Sequence, residues 1–128
     1  DCPPSLSLLT VNAMAAADAL LIPLQCEFYA LEGLSQLVQT VKRIKQTMNP
    51  DLAIAGILLT MFDNRTNLSY QVAKDAGRHF EDLVFKTVIP RNIRLGESPS
   101  FGMPILLYDA NSAGAKSYFE LAKEILDR

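Results

Sequence analysis

Short apolar runs alternate along this chain with longer segments that carry one apolar stripe. Residues 19–24 and 52–60 are continuous apolar runs of strand length, which is typical of strands covered on both faces of a parallel sheet. Between them, apolar residues recur every three or four positions from Leu31 to Met48, until Asn49 and Pro50 interrupt the pattern. This spacing predicts a helix with one buried stripe that ends before the proline.

The same patterns predict three further helices. The first follows a cap at Ser5 and runs to about residue 17, the next follows the polar loop 63–67 and runs to about Phe80, and the last is capped by Asn111 or Ser112. Serine, threonine and asparagine are favoured caps because their side-chain oxygens accept backbone N–H groups that the first turn leaves free.

The apolar pattern also predicts a third strand at residues 84–89, which Pro90 closes. Residues 90–104 contain three prolines and two glycines, so we expect one long loop there, followed by a short strand at 105–108. Strands that alternate with helices form βαβ units, and these give a parallel sheet with helices on both faces. The fold class is therefore α/β. We expect part of a three-layer arrangement, in which helices cover both faces of a parallel sheet of about three strands.

Composition restricts the functional classes. A length of 128 residues indicates one domain, and 49% hydrophobic with 20% charged residues is globular rather than disordered. The net charge of −2 excludes a uniformly basic nucleic-acid coat, and every apolar run is too short to span a membrane. Cys2 and Cys26 have no metal-binding spacing, so we expect reduced thiols in a cytoplasmic protein.

The charge is unevenly distributed along the chain. Residues 65–94 carry six basic side chains against three acidic ones, whereas the segments before and after them are net acidic. This middle segment is therefore the candidate surface for an anionic partner. Arg65 also precedes a predicted helix, where the helix dipole disfavours a cation. Arg65 and Arg94 are either binding residues or ordinary solvated surface charges, and Glu97 could pair with Arg94.

Ligands of open α/β sheets bind beyond the carboxyl ends of the strands. Four segments are expected at that edge, namely residues 1–5, 25–30, 61–67 and 90–104. A carboxylate before a proline turn, as at Asp1, is the usual form of a Walker B acid that holds Mg²⁺ through water. The same residues could equally form a surface turn without a metal.

Four motifs in order, at residues 1–6, 23–25, 60–68 and 89–100, closely resemble the ParA/Soj family of chromosome and plasmid partition ATPases. The resemblance extends over essentially the whole chain and implies the deviant P-loop NTPase fold of ParA- and MinD-like proteins. The glycine-rich phosphate loop with two lysines that begins these proteins does not occur in the 128 residues. We therefore expect residues 1–128 to be the C-terminal half of a ParA-like ATPase domain that is inactive alone.

The resemblance also implies roles for individual residues. Asp1 matches the Walker B acid, which makes it the catalytic residue and the indirect metal ligand. Met61, Pro90 and Asn92 match positions on the adenine side of ATP. Arg65 and Arg94 match basic residues that bind the DNA backbone without sequence preference.

For the intact protein, the resemblance implies ATP and Mg²⁺ as cofactors and a homodimer that forms with ATP. It further implies non-specific DNA and a ParB-type protein as partners, in the cytoplasm and at the nucleoid. No membrane partner is expected, because the last helix lacks the basic polar face of a membrane-surface helix. Two alternatives remain open, a ParA-like regulator that positions another cargo, and a DNA- or protein-binding module without nucleotide chemistry.

Overall fold

The computed structural model describes Cys2 and residues 6–128. In chain order its helices and strands are α1 (Leu8–Ala16), β1 (Ala19–Gln25), α2 (Ala30–Thr47), β2 (Ala53–Thr60), α3 (Asn67–Phe80), α4 (Ile93–Glu97), α5 (Ile105–Tyr108) and α6 (Ala113–Asp127). Two 3₁₀ turns, Glu81–Leu83 and Ser98–Phe101, follow α3 and α4. Among the described residues, no helix is long and apolar enough to cross a membrane.

The central motif is the predicted βαβ unit. β1 and β2 pair in parallel from Ala19 with Ala53 to Gln25 with Thr60, and α2 connects them. The predictions for these two strands and for α1, α2, α3 and α6 are confirmed to within a few residues. Of the two proposed caps for α6, the structure uses Ser112, whose Oγ accepts the N–H of Ala115 at 3.1 Å. The proposed cap Ser5 lies outside the described residues.

The third predicted strand is only partly formed. Residues 84–90 run parallel to β2, but the pairing is limited to isolated bridges of Val84 with Ile57 and of Pro90 with Phe62. The Phe85 and Ile89 N–H groups donate to β2, but the ladder is interrupted between them, where the N–H groups of Lys86 and Thr87 donate to a carboxylate of α6. The regular sheet of the described chain therefore has two strands.

Helices cover both faces of β2, as the three-layer prediction requires. Successive strand residues point to opposite faces. Ile57 and Leu59 pack with residues of α2 and α3, and Leu58 packs with Leu121 of α6. The buried side chains of the first face are Ile22, Leu24, Cys26, Leu34, Ile57, Leu59, Val72 and Ala76. Leu58, Phe85, Ile89 and Leu121 form the smaller core on the other face.

Within the described chain, β1 is covered on one face only, whereas its continuous apolar run is typical of a strand covered on both. Ile22 and Leu24 are buried, but Leu21 and Pro23, which alternate with them, are exposed. The reason is geometric, because the core on the α6 side is built on β2 and the segment 84–90 beside it. A continuous apolar sequence shows that both faces of a strand can be buried, but it does not show that other elements cover both of them.

The predictions for residues 90–104 and 105–108 are both wrong. The expected uninterrupted loop contains α4 and a 3₁₀ turn, because Asn92 caps the first and Pro99 favours the start of the second. The expected strand is the single helical turn α5, in which the N–H of Tyr108 donates to the carbonyl of Pro104 at 3.0 Å. Apolar content alone does not separate a short buried helix from a strand.

Candidate functional site

Backbone hydrogen bonds join three segments at the carboxyl end of the sheet. The Cys26 N–H donates to the carbonyl of Thr60 at 3.1 Å, and the Phe62 N–H donates to the carbonyl of Ile89 at 3.1 Å. The Arg91 N–H then donates to the carbonyl of Phe62 at 2.9 Å. These bonds bring the segments that follow β1, β2 and residues 84–89 to one edge, where α/β folds bind their ligands.

A groove of about 800 Å³ opens beside this edge. We call it the cationic groove, because its lining includes the four cations Arg65, Lys86, Arg91 and Arg94. Its remaining lining residues are Phe62, Asp63, Asn64, Thr87, Val88, Pro90, Asn92, Ile93, Ser117 and Glu120. Four of the predicted site residues, Arg65, Pro90, Asn92 and Arg94, thus share one surface. Met61 is outside the groove lining, next to Phe62 in the chain.

The loop after β2 is fixed by a side chain that the sequence analysis did not single out. Ser69, only 2% exposed, accepts the Asp63 N–H at 3.0 Å and contacts the Thr66 hydroxyl at 3.1 Å. Thr66 caps α3 by accepting the Ser69 N–H at 3.4 Å. The pattern Asp-x-x-Thr-x-x-Ser of residues 63–69 was the available signal, because hydroxyl side chains at helix starts commonly bond local backbone.

Arg65 is held by Asp63 in the same loop. Its Nε and second terminal nitrogen donate to the two carboxylate oxygens at 2.9 and 2.8 Å, while its side chain stays 79% exposed. Hydrogen bonds from the Arg65 side chain and backbone lower the pKa of Asp63 to about 2, so the carboxylate is charged at neutral pH. The guanidinium thus faces solvent in a defined orientation with part of its charge compensated.

Arg94 lies in a second network. Its side chain contacts Glu97 at 3.1 Å and Asp109 at 3.4 Å, and Glu97 also accepts the Tyr108 hydroxyl at 2.7 Å. The Tyr108 hydrogen bond is the main cause that lowers the pKa of Glu97. The pairing of Arg94 with Glu97 is therefore present, and α5 contributes to it through Tyr108, which the strand prediction for residues 105–108 could not anticipate.

Two of the residues assigned to the adenine side, Asn92 and Met61, have distinctive local structure. Asn92 caps α4 by accepting the Arg94 N–H at 3.1 Å, and no described residue accepts a hydrogen bond from its side-chain nitrogen. Met61 has a φ of 52°, in the left-handed region that is costly for a side chain other than glycine. Backbone strain of this kind is concentrated at functional sites.

The metal prediction rests on a residue that the structure does not describe. Asp1 lies outside the described residues. Within Cys2 and residues 6–128, no group of three or more histidine, cysteine or acidic side chains could hold a metal ion.

A second concave surface, the apolar cleft, lies along β1. It has a volume of about 1010 Å³ and is lined by residues of α1, β1, the segment 27–30 and α2. Its rim includes the adjacent aromatic residues Phe28 and Tyr29, 77% and 73% exposed, which contact each other edge to face. Large apolar surface of this kind usually marks an interaction site.

Comparison with a family model and with solved structures indicates the class of protein to which the fold is similar. A family model described as an AAA domain matches residues 1–54. The fold resembles crystal structures of cobyrinic acid a,c-diamide synthase from Mycobacterium smegmatis, with a TM-score of 0.75 and 37% identity over 98% of this chain and 44% of that one. Another structure of the synthase, with bound ADP and magnesium, matches with a TM-score of 0.74. The chain therefore has the α/β fold of a synthase whose crystal structure contains bound ADP and magnesium.

Sequence relatives give the narrower assignment. The chain is 59% identical to the chromosome partitioning protein ParA of Caulobacter vibrioides, over all of this chain and 48% of that protein. It is also 59% identical to the sporulation initiation inhibitor protein Soj of Bacillus subtilis, over 98% of this chain and 49% of that protein. The resemblance to the ParA/Soj family is confirmed, and the chain is homologous to these proteins over its whole length. It spans about half the length of the curated relatives it matches.

Proposed function

We propose that this chain is the part of a ParA/Soj-type chromosome-partitioning ATPase that carries the adenine-side contacts and the DNA-binding surface. The observation that carries the proposal is the cationic groove, in which Arg65 and Arg94 lie beside the segments of Pro90 and Asn92. Nucleotide and DNA contacts on adjoining segments provide a direct route for one ligand to influence the other.

The nucleotide part of the proposal assigns roles to three described residues. Met61 and Pro90 provide apolar surface for the base, and the side-chain nitrogen of Asn92 provides a hydrogen-bond donor. Asp1 is proposed to hold Mg²⁺ through water. When bound, Mg·ATP supplies the phosphoanhydride bond whose hydrolysis resets the protein. The crystal structure of the related synthase with ADP and magnesium supports this choice of cofactors.

The DNA part rests on exposed cations. Phosphate contacts give affinity without sequence preference, and each contact adds to the salt dependence because counterions are released. One chain offers few such contacts, so an ATP-dependent homodimer would double them. We propose that a ParB-type partner promotes hydrolysis and release, and that the protein acts in the cytoplasm at the nucleoid. Relatives named for chromosome partitioning support this cycle.

The test uses the intact protein with Arg65→Glu and Arg94→Glu combined. We expect loss of retention on random-sequence DNA with unchanged ATP binding, because the two arginines are assigned to DNA alone. Lys42→Glu with Lys45→Glu, on exposed positions of α2 outside the groove, is the matched control for total charge. Loss of ATP binding together with DNA binding would contradict separate roles, and unchanged DNA retention would contradict the DNA assignment.

A further inference from the structure

The four cations of the cationic groove differ in how they are neutralised. Arg65 is paired with Asp63, and Arg94 with Glu97 and Asp109. Lys86 and Arg91 are exposed and, among the described residues, have no carboxylate at ion-pair distance. Asp63 is near enough to Arg91 for attraction between their charges, but it is hydrogen-bonded to Arg65. The unpaired charge of the groove therefore belongs to two residues outside the predicted pair.

Pairing changes what an arginine can offer to an anion. The two parallel bonds between Arg65 and Asp63 are the geometry that a guanidinium would also use on a phosphate. A phosphate must therefore compete with Asp63 for the same donors, or use those that remain. No carboxylate competes with a phosphate for Lys86 and Arg91, so a phosphate would interact with their full charge.

The backbones of both unpaired residues are also fixed. The Lys86 N–H donates to Glu124 at 2.7 Å, and the Arg91 N–H donates to the carbonyl of Phe62 at 2.9 Å. Their side chains therefore extend from anchored positions on the segment that runs beside β2. Glu120, also in the groove lining, is an acidic residue that α6 adds to this surface.

We propose that Lys86 and Arg91 are primary phosphate contacts of this groove and bind the backbone of duplex DNA. Arg65 and Arg94, which carboxylates hold in place, complete the surface and orient the duplex on it. The inference rests on the proposed DNA binding of the same groove and adds two residues to it. It also predicts that Glu120 opposes binding, because it places negative charge beside the phosphates.

The experiment measures binding of the intact, ATP-loaded protein to a random-sequence 24-base-pair duplex at several salt concentrations. Lys86→Ala and Arg91→Ala should each weaken binding severalfold and lower the slope of log affinity against log salt by about one. Glu120→Lys should tighten binding and steepen the slope by a similar amount. Lys42→Ala and Lys45→Ala on α2 are the matched controls, and ATP binding reports that each variant is folded.

The outcomes separate this inference from the function on which it rests. If Lys86→Ala and Arg91→Ala leave slope and affinity at the control values while Arg65→Ala and Arg94→Ala lower them, the inference is overturned and the proposed function stands. If the unmodified protein binds no DNA in any nucleotide state, both are overturned. A lower slope for both new variants together with a steeper slope for Glu120→Lys supports the inference.

Discussion

The cationic groove and the apolar cleft are of similar size but are built in opposite ways. Polar contacts hold the groove, since Ser69 fixes the loop after β2 and Glu124 fixes residues 86 and 87. The cleft is lined mainly by apolar side chains, and Leu21 remains 41% exposed. A satisfied polar network defines a shape without a ligand, whereas exposed apolar surface lowers its free energy only when something covers it.

Substitution of Phe85 should give the largest effect in a comparison of the two regions. Phe85 is buried between Gly56 and the α6 side of the sheet, and the guanidinium of Arg128 lies 3.9 Å from its ring centre. Phe85→Ala should lower the free energy of unfolding by about 3–5 kcal/mol, because it leaves a cavity behind the groove. Leu21→Ala in the cleft should cost about 1 kcal/mol or less. Chemical denaturation measures both, and equal losses would show that the two regions are supported alike.

Glu124 tests the polar support directly. Its two carboxylate oxygens accept the N–H groups of Lys86 and Thr87 at 2.7 and 2.8 Å. Glu124→Ala leaves both donors without their partner and should cost about 1–3 kcal/mol of stability. Glu120→Ala, one turn earlier on the exposed side of α6, should change stability by no more than about 0.5 kcal/mol. Equal losses of stability in the two variants would show that water replaces the carboxylate at no cost in free energy.

Acid titration examines the other polar contact of the groove. The pKa of Asp63 is lowered to about 2, first by the side-chain hydrogen bond of Arg65. A lowered pKa in the folded state means that the contribution to stability is present above the ordinary carboxyl range and is lost as pH falls towards 2. Carbon-detected NMR titration should place the Asp63 midpoint near 2, and Arg65→Ala should return it towards its ordinary value. An unchanged midpoint would contradict the pairing.

Met61 should give the smallest effect, with the opposite sign. Its positive φ costs conformational energy that glycine does not pay. Met61→Gly should raise the free energy of unfolding by about 1 kcal/mol or less, since the greater entropy of unfolded glycine offsets part of the relief. Met48→Gly is a suitable control, because Met48 has a φ of −128° and no such strain. A loss of stability at position 61 would show that the methionine side chain packs more strongly than it is strained.

The sequence predicted the groove better than the cleft. The resemblance to the ParA/Soj family identified Arg65, Pro90, Asn92 and Arg94, and the structure brings all four to one surface. The sequence also offered Glu97 as a partner of Arg94, but it did not indicate that Asp63 holds Arg65 or that Asp109 contacts Arg94. The excess of basic residues between positions 65 and 94 included Lys86 and Arg91, but composition does not show which charges are neutralised by contacts in space.

Local pattern by itself determined α1, α2, β1, β2, α3 and α6, because the spacing of apolar residues and the caps act within a few residues of one another. Tertiary structure decided the rest. Residues 84–90 do not form a regular strand, and Glu124, far away in the chain, accepts two of their N–H groups. Residues 105–108 form a helical turn, and Tyr108 from that turn contacts Glu97. Such partners are distant in sequence, and only the folded chain brings them within hydrogen-bond distance.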